Sequence, residues 1–524
     1  MVGWTGGDDS RQSTDDDHGR VRTSGGGPAM TLIGTDPTTE FLTRAGILDP
    51  DLPTTRIVTH GAVVFLNGDR AWKMKRPVRY RYLDFSTPEF RHDALDAELR
   101  LNRRIAPGVY LGLHKVDDAD GNSDWVLEMR RFDDDALLST RAERGDLDDA
   151  LLRRLAELTV ELHAASEICP DPHGAARIQE VVDGNLGSMS AFPEILDPSR
   201  ARLLTDRLTA MISAHSDLLD TRARAGRVRH GHGDLHLGNI AVIDGEPLPF
   251  DCLEFDADMA TTDVLYDVAF LVMDLWARDL RHEANVVVNN YLDLSPADED
   301  GYSLMPIFLS VRATVRAHVA AAEGAVSKAH DYLDLALAVV DPAPARLVAI
   351  GGGSGTGKST VTRAIGAEFV PAPGTRILRS DVLRKRLAGV PEHTRLPATG
   401  YTVEMGSRVY GELCRLAAQT LGGGMSVIAD AVFGRAAQRD AIAGVAETLA
   451  VPFTGIWLEL DEAERIARIE ARGADASDAD ASVARRQTRS LETPGAEWVH
   501  VDAGAGVLDR VRHALGLPGS AGTR

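Results

Sequence analysis

The stretch RVRHGHGDLHLGNIAVIDGEPLPFDCLEFD carries three polar residues whose types and order suit one kind of chemistry. Asp234 follows His232-Gly233, Asn239 comes five residues later, and Asp251 lies beyond them in an apolar, strand-like setting. Phosphoryl transfer needs this order: an Asp to accept the proton of an acceptor hydroxyl, an Asn to ligate one metal ion, and a second Asp to bridge Mg²⁺ to the phosphates. General-base help of this kind is worth about 10²–10⁴ in rate. The plain alternative is a polar loop that gathers Asp and Asn by chance, and the three-point spacing argues against it.

A nucleotide at such a site also needs a strand lysine, held by a helix glutamate. Ala71-Trp72-Lys73-Met74-Lys75 puts two lysines on one strand face, because side chains alternate along a strand. Lys73 is the first choice, with Ala71 two residues before it, and Lys75 is the alternate. Glu98, in DALDAELRLNRRI, is the expected partner, although surface lysines and helix glutamates are common. Residues 126–130, with Glu128 at their centre, are expected to form the connection whose backbone meets adenine. Arg56 and His60 are weaker candidates for phosphate contact.

A second group lies far along the chain. Gly352, Gly353, Ser354, Gly355, Thr356, Gly357, Lys358 and Ser359, followed by Thr360, satisfy G-x-x-x-x-G-K-[ST]. Glycines let successive backbone N–H groups turn inward as an anion cradle, and the helix that starts near Lys358 adds its positive end. Lys358 can reach the β- and γ-phosphates, and the Ser359 hydroxyl can ligate Mg²⁺. Asp430 ends the strand SVIAD, where a carboxylate would meet the metal or its waters, unless it is an ordinary strand-end aspartate. Asp381, in ILRSDVLRKRL, could accept a substrate proton, and a helix N-cap at Ser380 or Asp381 is the equal alternative. Arg468 and Arg472 share a helix face, and Arg485-Arg486 lie beyond a low-complexity stretch. Arginines on a lid would neutralise charge in the transition state, while a solvated basic face is the plain alternative.

Elements must position these groups. From residue 30 to about Arg131 the pattern is β-rich, with two strands joined at Asn67-Gly68-Asp69 and a helix from Pro88 to about Ile105. Between Asp148 and Leu337 apolar residues recur at helical spacing. Asp341-Pro342-Ala343-Pro344-Ala345 is a stiff linker. Strands and helices then alternate, which argues for a parallel α/β sheet, and GADASDADAS is expected to be a mobile loop between two helices. Residues 1–29 lack apolar periodicity and read as a disordered tail, so Met1 and Met30 are both candidate starts. The expected domains are therefore 30–340 and 347–524, joined by 341–346.

The net charge of −21 over 524 residues is unevenly spread. Residues 1–341 hold 35 basic and 58 acidic side chains, whereas 342–524 hold 22 and 20. An acidic first part disfavours nucleic acid and anionic lipid as partners. Cys169, Cys252 and Cys414 are far apart and suit a reducing compartment better than a disulfide framework or a zinc site. The longest apolar run, at 268–276, is short and broken by Asp274, and no signal peptide is visible, so no membrane partner and a cytoplasmic location are expected.

HGDLHLGN, FDCLEFD, GDRAWKMKRPV and YLDFSTPEFRHDALDAELRLNRRIAPGVYLG resemble segments of the aminoglycoside phosphotransferase-like kinases, in the bacterial branch fused to a P-loop kinase. The glycine loop, SDVLRK, VIADAVF and RIEARGADASDADASVARRQ resemble the AAA-type P-loop kinases, relatives of chloramphenicol phosphotransferase, zeta toxins and the polynucleotide 5′-hydroxyl kinase domain. The two resemblances imply an α+β bilobal protein-kinase-like domain, followed by an α/β P-loop NTPase domain with a parallel sheet, and the use of ATP and Mg²⁺. They strengthen Asp381 as base and the lid arginines as catalytic. One departure stands out: THGAVVFLNG has Gly61 and Gly68 but no G-x-G-x-x-G, which leaves the grip on nucleotide at the first site open. The expected function is a two-site ATP-dependent phosphotransferase acting on a small-molecule hydroxyl, with a sugar, amino sugar or aminoglycoside-like acceptor at the first site. The alternatives are a nucleotide-sensing regulator and a polynucleotide or toxin-like kinase in the second unit.

Overall fold

The computed structural model describes residues 30–31, 37–59, 61–80, 83–117, 123–253, 257–471 and 476–518. The tail 1–29, His60 and Arg472 lie outside the described residues. Strands Ala62–Asn67 and Arg70–Lys75 pair antiparallel with Asn67 opposite Arg70, so Gly68 and Asp69 form a two-residue turn. Gly68 has φ +60°, in the left-handed region that glycine tolerates. The hairpin sits inside a six-stranded antiparallel sheet in the order Met30–Thr31, Thr54–Val58, Ala62–Asn67, Arg70–Lys75, Ser123–Arg130, Tyr110–Asp117. Residues 126–130, expected as the connection to adenine, are part of an inner strand instead. Glu128 pairs with Trp72 on one side and Gly112 on the other, so it lies within the sheet rather than at a connection.

The helix Pro88–Arg103 starts at Thr87, whose hydroxyl accepts the Phe90 N–H at 3.3 Å, with proline in the first turn where no N–H is needed. Its buried residues are Arg91, Ala94, Leu95, Glu98 and Asn102, a helical stripe that turns Glu98 toward the sheet. The helices that follow surround Val264–Ala277, in which every residue from Val264 to Leu275 is buried. Among the described residues no helix is long and apolar enough to cross a membrane.

After residues 342–346, which are neither helix nor strand, comes a five-stranded parallel sheet. Its order is Arg376–Arg379, Val427–Asp430, Leu347–Gly351, Phe453–Glu459, Trp498–Asp502. The central strand Leu347–Gly351 is wholly buried and runs straight into the glycine loop. Ligands in open parallel sheets bind beyond the carboxyl ends of the strands, where Gly352, Asp430 and Asp381 all emerge.

The edge strand Arg376–Arg379 docks on the preceding helical part. Arg376 has no exposed surface and donates to Glu299 (2.6 and 3.0 Å), Asp293 (2.6 Å) and Asn289 (2.9 Å). Asn289 Oδ1 accepts the Ile377 N–H at 2.8 Å, and Asn285 donates to the Pro373 and Thr375 carbonyls. Removing one partner of a buried ion pair leaves uncompensated charge and costs about 3–5 kcal/mol, against about 0–1 for an exposed pair. Arg376→Ala should therefore lower stability to urea by about 3–5 kcal/mol. Arg200→Ala, which removes the exposed partner of Asp334, should change it by less than about 1 kcal/mol in the same denaturation series.

Candidate active sites

Lys73 Nζ donates to Glu98 Oε1 at 2.7 Å and to Asp251 Oδ1 at 2.6 Å. Lys75 Nζ takes the other oxygen, Glu98 Oε2, at 2.8 Å, so the fully buried carboxylate holds both lysines. Of the two, Lys73 is the one that spans from the helix glutamate to Asp251. Asp251 has φ +59°, and its N–H is accepted by the Tyr110 hydroxyl at 3.0 Å. Burial works to raise the Asp251 carboxyl, yet Lys73 and Lys75 hold it below its ordinary value.

Asn239 lies beside Asp234: its Nδ2 donates to Asp234 Oδ2 at 2.8 Å and to the Asp234 carbonyl at 3.0 Å. Burial also acts to raise Asp234, but His236, at 3.5 Å, together with Arg312 keeps it below the carboxylate range. The His232 ring takes the Asp234 N–H on Nδ1 and contacts the Phe250 carbonyl through Nε2, the pattern of a neutral ring. Burial lowers its pKa in the same sense. The ring thereby ties the Asp234 loop to the strand that leads into Asp251.

Two acids in the apolar helix Val264–Ala277 grip this loop. Asp267 accepts the N–H groups of His232 (2.8 Å) and Gly233 (3.0 Å), and Asp274 accepts the Leu237 N–H (3.1 Å). They stand seven residues apart, two helical turns on one face, and so hold the loop on both sides of Asp234. Against the cost of burial, the bond from His163 keeps the Asp267 carboxyl down at about 2. Neither residue was expected from sequence as part of the site. The available signal was the presence of acids inside an otherwise buried helix, which are rare unless they are paired.

The second site is a cleft of about 860 Å³ lined by the glycine loop, Asp381, Asp430 and Arg468. Gly352, Gly355 and Gly357 have φ of +137°, +87° and +91°, and a Cβ on Gly355 would lie 2.5 Å from the Arg465 carbonyl. Lys358 Nζ donates to the Gly353 carbonyl at 3.0 Å, and Thr356 Oγ1 does so at 2.9 Å, curling Gly353, Ser354 and Gly355 into a closed loop. The Ser354 N–H is accepted by Gln487 of the helix Ala481–Ser490 at 2.7 Å, a contact not foreseen. Ser359 donates to Asp430 Oδ2 at 2.6 Å, and burial pushes the Asp430 carboxyl above its ordinary value against Lys358 and Arg379.

Other expected positions fall as follows. Thr360 lines the cleft. Asp381 is the second residue of the helix Ser380–Ala388, whose N-cap is Arg379 with no side-chain cap bond, so neither Ser380 nor Asp381 serves as the cap. Arg468 lies against the glycine loop, donating to the Thr356 carbonyl at 3.5 Å and to Ala503 at 3.1 Å. Glu128 is remote in role: it accepts from Arg70 Nε at 2.9 Å and contacts His114 at 2.8 Å. The stretch 473–482 is tied down where it is described, because Asp478 pairs with Lys385 and accepts the Leu396 N–H at 2.9 Å.

A family model described as a phosphotransferase enzyme family matches residues 79–303, and one described as an AAA domain matches 347–494. An uncharacterized protein of Mycobacterium tuberculosis (strain H37Rv) is 33% identical over 395 residues, covering 72% of this chain and 78% of the relative. A Mycobacterium bovis protein matches to the same extent. Similar solved structures include a gluconokinase from Sinorhizobium meliloti 1021, at 24% identity and TM-score 0.25, covering 34% of this chain and 92% of that one. A choline/ethanolamine kinase family protein from Mesorhizobium loti has 11% identity and TM-score 0.38, covering 58% and 92%. The GDP complex of aminoglycoside 2′-phosphotransferase-IIIa has 18% identity and TM-score 0.37, covering 57% and 96%.

The glycine geometry sets an expectation for one substitution. Gly355→Ala combines a left-handed φ with a backbone clash, so it should reduce nucleotide binding at the loop by about 5–150-fold, the scale of a local strain of about 1–3 kcal/mol. Calorimetric titration with a non-hydrolysable ATP analogue measures this. Wild-type affinity in the variant would mean that the loop does not hold phosphate.

Proposed function

This chain belongs to the family of its mycobacterial relatives, an aminoglycoside phosphotransferase-like kinase joined to an AAA-type P-loop kinase, and on that premise we propose that each of its sites moves the γ-phosphoryl group of ATP to a hydroxyl of a small molecule. Residues 30–340 and 347–524 are the two domains in this reading, joined by 341–346. The observation that carries it is Lys73 held between Glu98 and Asp251, next to the paired Asp234 and Asn239.

At the first site the ionised Asp234 carboxylate accepts the proton of the acceptor hydroxyl. The hydroxyl oxygen forms its bond to the γ-phosphorus as the bond to the β-phosphate oxygen breaks, leaving ADP. Asn239 holds the carboxylate in place, Asp267 fixes the loop, and Lys73 offsets phosphate charge. At the second site the backbone N–H groups of the glycine loop and Lys358 hold the phosphates, Arg468 offsets developing charge together with Arg472, and Asp381 is the base. The donor sets fit a hard divalent cation: Asn239 and Asp251 at one site, and Ser359 and Asp430 at the other, are amide, hydroxyl and carboxylate oxygens. Held by those residues, Mg²⁺ would supply charge neutralisation for the phosphates.

The family resemblance supports a sugar, amino sugar or aminoglycoside-like acceptor at the first site, and the acidic first part favours the cationic, amino-bearing members of that class. Nucleotide sensing is the second reading, favoured by the buried Arg376 network between the two parts.

Incubating the purified protein with ATP and a library of hydroxyl compounds, with products read by mass spectrometry, tests the assignment. Asp234→Asn should slow one product by about 10²–10⁴ and spare the other, and Lys358→Ala should do the reverse. Loss of the same single activity in both variants would favour the regulatory reading. The pH profile adds a check. Because the folded state holds Asp234 below its ordinary value, its ionised form is complete above the usual carboxylate range and is lost only as pH falls below that range. Titration of Asp234 should therefore leave first-site kcat/KM flat between pH 8 and about pH 5. An acid limb inside that window that survives replacement of His236 would exclude Asp234 as the base.

A further inference from the structure

The acceptor half of the second cleft is read most directly from its cations. Arg395 is paired with Asp480 at 3.6 Å, and Arg379 with Glu392 at 3.3 Å. Arg384 differs from both. It lines the cleft one helical turn after Asp381, and Nη1 donates only to a neutral group, the Gly400 carbonyl, at 3.0 Å. Its guanidinium lies over the Tyr401 ring at 5.0 Å, and its Nε is buried with no hydrogen-bond partner. Among the described residues no carboxylate stands within ion-pair distance of it.

A cation drawn out of water without a counter-ion is costly, and a guanidinium is built to take a carboxylate or phosphate through paired N–H groups. Tyr401 stacks on the guanidinium and so restricts its orientation toward the cleft. Asp381 and Arg384 are three residues apart, about 4.5 Å along the helix axis. A ligand that placed a hydroxyl at Asp381 would set its neighbouring atoms beside Arg384. Lys358 and Arg468 lie at the glycine loop, where the phosphates of the nucleotide belong, and Arg486 lies on the helix Ala481–Ser490, bonded to Ser482 at 3.2 Å, so Arg384 is the cleft cation on the same helix as Asp381 and nearest the acceptor position.

We infer that Arg384 selects the acceptor of the P-loop site, binding an anionic group carried a few bonds from the hydroxyl that is phosphorylated. The substrate class is a hydroxy acid of the sugar-acid type or a sugar phosphate, and the shared requirement is the anion. This rests on the reading of the second cleft as a phosphotransferase site.

The test uses the full-length chain carrying Asp234→Asn, so that only the second site turns over. Matched sets of neutral sugars or polyols, the corresponding sugar acids and the corresponding sugar phosphates are offered with ATP. At least one anionic set should be phosphorylated with kcat/KM ten or more times that of its neutral counterpart, and which set responds identifies the anion. Arg384→Gln should raise KM for that acceptor about 10–100-fold, the scale of a lost charged hydrogen bond. Arg384→Lys, which keeps the charge, should recover part of the preference. Unchanged nucleotide affinity in both variants shows that the cleft is intact. Equal use of neutral and anionic acceptors, or a loss in Arg384→Gln that falls on kcat alone with the preference retained, overturns the inference and leaves the phosphotransferase reading in place. Nucleotide binding with no acceptor phosphorylated from any set overturns both.

Discussion

Arg376 is completely enclosed, and its guanidinium is divided among Glu299, Asp293 and Asn289, which precede the parallel sheet in the chain. Such a charge is tolerated only where geometry satisfies it fully, because desolvation is otherwise too costly. The requirement locks the edge strand Arg376–Arg379 onto the helical part, and that strand leads directly into the helix carrying Asp381 and Arg384. One wall of the second cleft is therefore positioned by residues outside its own sheet. The same helices reach the other way. Tyr291 contacts His163 Nδ1 at 2.8 Å, His163 contacts Asp267, and Asp267 holds the loop of Asp234. The two candidate sites are thus linked through one chain of polar contacts.

The two candidate sites are built differently. The first uses side chains: a buried glutamate fixes two lysines, and an aspartate is kept ionised against its own burial by His236 and Arg312. The second uses backbone: glycines in left-handed conformations wrap a loop whose Gly353 carbonyl is held by both Lys358 and Thr356. The side-chain solution needs long-range packing to hold it. The backbone solution is local, which is why it can be written in eight consecutive residues.

That difference explains how much could be read in advance. The glycine loop, the hairpin at Gly68 and the stripe that aims Glu98 inward are local patterns, and the structure places them as the spacing implies. Lys73 and Lys75 were indistinguishable by alternation, since both face Glu98. Only the approach of Asp251 to Lys73 separates them. Glu128 was misplaced because a strand and a connection look alike in a short apolar stretch, and the ladder on both sides decides between them. Asp274 read as an interruption in an apolar run, yet it grips Leu237. The low-complexity run read as loose, yet Asp478 is bound by Lys385 and Leu396.

By itself the sequence determined the order of elements and the local patterns at the two candidate sites, because turn glycines, helix stripes and glycine loops depend on neighbours a few positions apart. Only the tertiary structure decided which lysine meets Asp251, that Asp267 and Asp274 clasp the loop around Asp234, and that, among the described residues, Arg384 has no carboxylate partner while Arg379 and Arg395 have one. Those outcomes depend on partners brought together by packing from distant parts of the chain. Burial then sets which charges must be satisfied and which is left for a ligand.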